Sequence, residues 1–238
     1  MIYKQSSIDV IGEVVSSMSF VVQIVSISTS GEVHTLTVCD VFYAQPGFKL
    51  TIDGNTYTIV DVLAPDTIIV RGSAAIVVLS FFLYPPFFFH GTPIETNVQL
   101  VQESNASNKT PMIWFLENFT DRFFDDSEDT RERQINFRLF FLTQANHEQW
   151  LVDDAYHNAI EPMRRLMENF IEYLRLMPGR FNLIDWEYDV INYAKFGVYI
   201  SNKGMEKSLF ADKLAGCELN LSLVVYKITD DCPDECIT

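Results

Sequence analysis

Cysteine, glycine and positive charge are all scarce in this chain of 238 residues. Its four cysteines, Cys39, Cys217, Cys232 and Cys236, are too few and too scattered for a disulfide scaffold, so synthesis in a reducing cytosol is expected. The N-terminal "MIYKQSSIDV" has no charged stretch leading into an apolar one, and no secretory signal is expected there. Lys and Arg number 17 against 32 Asp and Glu, giving a net charge of −15, and no basic run occurs. Such a surface repels phosphate, which argues against sequence-specific nucleic-acid reading and against binding anionic lipid.

The ten glycines are dispersed and form neither a P-loop nor G-x-G-x-x-G. G-x-S-x-G is missing too, and His34, His90, His147 and His157 have no Cys or Ser partner nearby in sequence. A Cys217–His pair would have to assemble in space, but Cys217 falls on the apolar side of a strand pattern, where a thiol is usually inert. Cys232 and Cys236 form one C-x₃-C pair among acidic residues, without the second pair a zinc site needs. The acidic run Asp125–Asp129 lacks the spacing and central glycine of a calcium loop and reads as a solvated charge run. Trp114, Trp150 and Trp186 are too dispersed to outline a sugar cleft between paired carboxylates. No enzyme, cofactor or metal is therefore expected.

Apolar residues, by contrast, are plentiful: 48% of the chain is hydrophobic and 13% aromatic, enough for a substantial core. Residues 1–78 read as β throughout. "FVVQIVSIS" and "EVHTLTVCDVFYA" are rich in Val, Ile and Thr. In "FKLTIDGNTYTIVDVLAPDTIIVRG", Asp53-Gly54 joins two alternating runs, and Ala64–Asp66 turns the chain again. Asp-Gly suits a type I′ turn, which needs positive φ at both central positions. These strands predict a small barrel of five or six strands, an architecture used more often for attachment than for catalysis.

An aromatic connector, residues 79–93, follows as "LSFFLYPPFFFHGTP". From Ala74 to Phe89 only Ser80 is conventionally polar, yet the run falls short of the roughly 20 residues a spanning helix needs, and Pro85-Pro86 interrupts it. A membrane span is not expected. Ala74–Tyr84 reads as a buried crossing strand. Phe87, Phe88 and Phe89, on an extended Pro-led backbone, point in different directions, so a single core face cannot take them all. A neighbouring subunit is the expected recipient of the remainder.

Residues 94–228 read as an α+β domain. "PIETNVQLVQE" alternates, "SNASNKT" is a polar loop, "PMIWFLENF" a strand and Asp121–Arg133 a charged loop. "QINFRLFFLTQA" is a strand with Ile135, Phe137, Leu139 and Phe141 on one face. "ANHEQWLVDDAYHNAI" is helical. Pro162 fits the first turn of a second helix whose stripe is Met163, Leu166, Met167, Phe170, Ile171 and Leu174, ended by Gly179. That stripe reads as core. "FNLIDWEYDVINYAKFGVYIS" gives one or two strands and "SNKGMEKSLFADK" a loop. "AGCELNLSLVVYK" alternates cleanly, with Cys217, Leu219, Leu221, Leu223 and Val225 inward and Glu218, Asn220 and Ser222 towards water. Residues 229–238 read as a polar tail. The expected fold class is α+β: an N-terminal small β-barrel followed by an antiparallel sheet covered on one side by amphipathic helices.

This combination resembles the virion structural proteins of tailed bacteriophages, of the head–tail connector or tail-completion (tail-terminator-like) kind. The residues that carry the likeness are "RQINFRLFFLTQANHEQW", "EPMRRLMENFIEYL" and "SLFADKLAGCELNLSLVVYK", and it covers about residues 92–228. The barrel is an addition to that pattern. The resemblance implies a ring of identical subunits around the DNA channel, joined to other neck or tail proteins, located in the virion and assembled in the host cytoplasm. On that view Phe81, Phe82, Tyr84, Phe87, Phe88 and Phe89 are interface anchors inserting into an adjacent subunit or ring. The second reading is an adaptor or baseplate-like module of a secretion-type or tail-tip assembly.

Overall fold

A computed structural model describes residues 6–18, 20–63, 65–83, 85–102, 109–117, 120–124, 132–177, 181–182 and 188–226. Its first element is a helix, α1 (Ser7–Ser17), in a region the sequence reading assigned to β alone. A capping box starts it: the Asp9 N–H donates to the Ser6 hydroxyl at 3.1 Å, and the Ser6 N–H donates to the Asp9 carboxylate at 3.0 Å. Val10, Ile11, Val14 and Val15 then fall on one buried helical face.

The strands that follow are β1 (Val21–Ser30), β2 (Val33–Val38), β3 (Lys49–Ile52), β4 (Asn55–Leu63), β5 (Thr67–Arg71) and β6 (Ser80–Phe82). They pair antiparallel in the order β3-β4-β5-β2-β1-β6, and β6 comes back against β3, so the sheet is nearly a closed barrel. The predicted Asp53-Gly54 turn is present. Ile52 pairs Asn55 across it, and φ is +49° at Asp53 and +75° at Gly54. The strand expected to run on through "CDVFYA" stops at Val38, where the Asp40 carboxylate accepts from the Phe42 N–H and Phe42 takes φ +46°. The crossing strand expected over Ala74–Tyr84 is shorter as well: only Ser80–Phe82 is laddered, and Tyr84 lies outside the described residues.

The second sheet holds β7 (Phe87–Gly91), β8 (Met112–Leu116), β9 (Thr120–Phe124), β10 (Glu132–Gln144), β11 (Phe181–Asn182), β12 (Tyr188–Phe196) and β15 (Leu214–Tyr226). Its spine is the antiparallel pair β10–β15, in register from Glu132↔Tyr226 to Gln144↔Leu214. β8 and β9 flank β10, and β11 and β12 flank β15. At the edge β7 lies parallel to β8. β13 (Val198–Ile200) and β14 (Glu206–Ser208) make a separate hairpin.

Several local expectations change. "PIETNVQLVQ" is a helix, α2 (Pro93–Gln102), because Pro93 suits a first helical turn and Thr92 with Glu95 forms its N-terminal cap. The start of the expected charged loop Asp121–Arg133 belongs to β9 (Thr120–Phe124), and part of the expected loop "SNKGMEKSLFADK" is β14. The two helices expected around Pro162 are one continuous run: α3 (Val152–Ala155), a π-helical turn (Tyr156–Ile160) and α4 (Glu161–Arg175). Pro162 has no N–H for the Asn158 carbonyl, and the turn ahead of it is widened, with the Glu161 N–H bonding back to the Tyr156 carbonyl. Gly179, expected to end the helix, lies outside the described residues.

All six predicted stripe residues of α4 are buried against β10 and β15. At about 2 kcal/mol for each large apolar side chain, that face outweighs the helix's surface pairs, such as Arg165–Glu161, at about 0.4 kcal/mol each. The main core runs without a break from the barrel through α1 to the α4-covered sheet face. A second cluster, around Trp114, Phe140, Phe196 and Phe210, lies on the opposite face at one end. A buried hydrogen bond from the Thr143 hydroxyl to Gln45 Oε1, 3.0 Å, ties the segment after β2 to the end of β10.

Candidate interaction surface

The connector aromatics are divided between two cores and solvent. Phe81 pairs with Val22 and is buried in the barrel, whereas Phe82 beside it is 64% exposed. In β7, Phe88 aligns with Ile113 and packs on the main core, against Gly12 of α1. Phe89 aligns with Trp114 and packs on the second cluster. The two faces of one sheet thus take side chains that no single core face accommodates. Phe87, on the same face as Phe89, stays 37% exposed. Of the six predicted anchors, Phe82 and Phe87 present the largest exposed surface among those described.

Two apolar surfaces result. On the barrel, β1 and β6 carry exposed Val25 and Phe82, with Leu79 just before β6, whose carbonyl accepts from the Ile24 N–H at 2.7 Å. On α2, Ile94, Val98 and Val101 are 78%, 48% and 59% exposed. Their i, i+4, i+7 spacing puts them on one helical face. The reason is in the sequence. Ile94, Thr96, Val98 and Leu100 alternate with polar residues, a strand pattern, so winding them into a helix sends Thr96 and Leu100 inward and leaves Ile94 and Val98 outside. Sequence reasoning missed this face. The signal that reveals it is Thr92-Pro93-x-Glu95, a capping box around a first-turn proline.

The polar groups form two centres. On β15, Glu218 was expected to face water, and it is buried to 1% exposure. Arg138 Nε donates to its Oε1 at 2.5 Å and the Tyr193 hydroxyl to its Oε2 at 2.6 Å, and the Arg138 guanidinium also lies over the Phe140 ring. Burial pushes the Glu218 carboxyl up, but the Arg138 and Tyr193 hydrogen bonds outweigh it and hold the carboxyl below its ordinary value. Burial and Glu218 together push the Tyr193 phenol up to about 12. This trio is a fully satisfied structural ion pair.

The second centre is an open cleft of about 770 Å³ along α4, lined by Arg164, Arg165, Arg175, Asp40, Glu161 and Glu172 among others. Its charges mostly answer one another: Arg165 meets Glu161 at 3.2 Å and Asp40 at 3.9 Å, and Arg175 meets Glu172. Cys217 is buried, and burial pushes its thiol up to about 12, as expected of a packing residue. The histidines are tied locally. His34 bridges Thr29 and the Gly72 carbonyl, His90 meets Glu117 at 2.7 Å, His157 meets Glu161 at 3.3 Å, and His147 Nε2 donates to the Leu214 carbonyl at 3.0 Å.

Among the described residues no three His, Cys, Asp or Glu side chains gather as a metal cluster, and no helix is long and apolar enough to cross a membrane. Cys232, Cys236, Trp186 and the acidic run Asp125–Asp129 lie outside the described residues. In comparisons with protein-family models, curated proteins and solved structures, the chain matches none.

Proposed function

We propose that this chain is a structural assembly protein, a subunit of an oligomeric ring at the head–tail interface or tail end of a tailed bacteriophage. The observation that carries the reading is the exposed apolar surface on an otherwise acidic chain, drawn from segments with little or no charge. β1 and β6 contain no Asp, Glu, Lys or Arg, and none occurs between Arg71 and Glu95. A net charge of −15 gives a channel wall that DNA passes without sticking, since a basic wall would bind phosphates. Subunits of such a ring meet through unlike faces, and Phe82 and Phe87 are aromatic anchors available for that contact.

The test is the mass of the purified chain in solution, with negative-stain imaging and a complementation assay. Rings or a defined multimer are expected, and Phe82→Ser with Phe87→Ser reduces the yield of complete, infectious particles. A chain that stays monomeric at every concentration, or undiminished particle yield from the double variant, sinks the reading.

A further inference from the structure

We propose that the outward face of α2, formed by Ile94, Val98 and Val101, is the lateral contact of this chain with a second copy of itself. The inference rests on the assembly reading and names the surface that would perform it. That surface is not the phenylalanine run as a whole, which is largely consumed inside the chain's own two cores.

The face is preorganised. Gly91, at φ +125°, turns the chain from β7 into α2, and an added Cβ there would press on the Glu95 side chain at 3.1 Å. Both the Thr92 N–H and the Thr92 hydroxyl donate to the Glu95 carboxylate at 2.8 Å. Mid-helix, Asn97 Oδ1 accepts from the Ala211 N–H at 2.9 Å. At the far end, buried Lys109 donates to the Leu100 carbonyl at 2.8 Å and meets Asp212 at 2.7 Å. With both ends and the inner face fixed, the rotation of α2 about its axis is set, and Ile94, Val98 and Val101 are held towards solvent. A rigid apolar face loses little freedom on docking.

The assembly reading names the occupant, and the charge balance names the place. Two copies that each carry −15 repel, so they can meet closely only where charge is least. α2 carries a single charged residue, Glu95, and its carboxylate is turned back onto Thr92. A basic partner would instead be drawn to the acidic surfaces elsewhere. Closing a ring requires a second, different surface, and the barrel supplies it in Val25 of β1, Phe82 of β6 and Leu79 just before β6, in segments that carry no charged residue. In the proposed contact the α2 face of one subunit seats on the β1–β6 face of the next.

Sedimentation velocity on three variants tests this, with thermal melts alongside. Val98→Lys with Val101→Lys charges the α2 face at positions where the helix dipole accepts a cation. Phe82→Lys charges the barrel face. Ile200→Lys, 76% exposed on β13, is the control. The wild type and the control sediment as a multimer. The α2 and barrel variants sediment as monomers with unchanged melting temperature, and an equal mixture of the two gives dimers, because each retains one intact face. If the α2 double variant melts early, Ile94→Glu, an acid in the first turn of the helix, replaces it. A multimeric wild type whose α2 variant keeps the same mass overturns this inference and leaves the assembly reading standing. Loss of the multimer in the α2 variant but not in the barrel variant overturns the barrel half alone. A monomeric wild type overturns both the inference and the reading.

Discussion

Glu218 shows what a single residue can conceal. Strand alternation correctly placed it opposite Cys217 and Leu219, on the face expected to be wet. Its burial arises from Arg138 on β10 and Tyr193 on β12, neighbours only through sheet pairing, which alternation within one strand does not reveal. The pair has a pH signature. A carboxyl held below its ordinary value in the folded chain contributes stability above the unfolded pKa, about 4.3, and that contribution is lost as pH falls through the lowered folded value. Glu218→Gln is therefore expected to destabilise by about 2 kcal/mol at pH 7, the scale of hydrogen bonds to a charged group. The difference from wild type should shrink as pH falls below the ordinary glutamate range. Urea unfolding of both proteins from pH 7 to about pH 3 measures it. An equal gap at every pH would mean that shape, not charge, is what the glutamine disturbs.

At the scale of elements, the long strands and the α4 stripe were legible because their burial follows one period over many residues. β10, β15 and α4 bury the residues the pattern named, apart from Val225, whose side chain lies outside what is described. The short helices α1 and α2 were both misread as β: α2 because its apolar residues also fit a period of two, α1 because the strand-rich sequence after it outweighed the helical spacing of Val10, Ile11, Val14 and Val15. What decided them was local capping, by Ser6 with Asp9 and by Thr92 with Glu95. β15 carries a different local demand. Gly216 sits inside the strand at φ +152°, where an added Cβ would lie 2.0 Å from the Phe141 carbonyl oxygen on β10. The obstacle is backbone in the central pair of the sheet, and it cannot move without breaking the ladder. Gly216→Ala is expected to cost about 3 kcal/mol, combining backbone strain with overpacking. Denaturant midpoints of the two proteins give the value. A stabilised variant, the usual result where alanine fits without strain, would show that the strand yields at this point.

For the whole molecule, the barrel was legible from its turns and β6 as part of a crossing strand over Ala74–Tyr84, but its return to the barrel was not, because only three of its residues are laddered. That placement determines which surfaces remain for assembly and what drives it. Two kinds of contact are open to a chain of net charge −15: the uncharged apolar faces of α2 and the barrel, or ion pairing through Arg164, Arg165 and Arg175 in the cleft along α4. They respond to salt in opposite directions. Raising ionic strength from about 0.01 M to about 0.15 M shortens the screening length from about 30 Å to about 8 Å. Repulsion between two acidic subunits then weakens while apolar burial does not, so contact through α2 should strengthen. An interface built on the arginines should loosen, because its attraction is the part being screened. The multimer fraction at fixed protein concentration is therefore expected to rise over this range, and sedimentation velocity at several salt concentrations reads it directly. A fall would assign the contact to the arginine cleft, where the cations are already partly held by Asp40, Glu161 and Glu172 and a neighbour's carboxylates would have to compete with them.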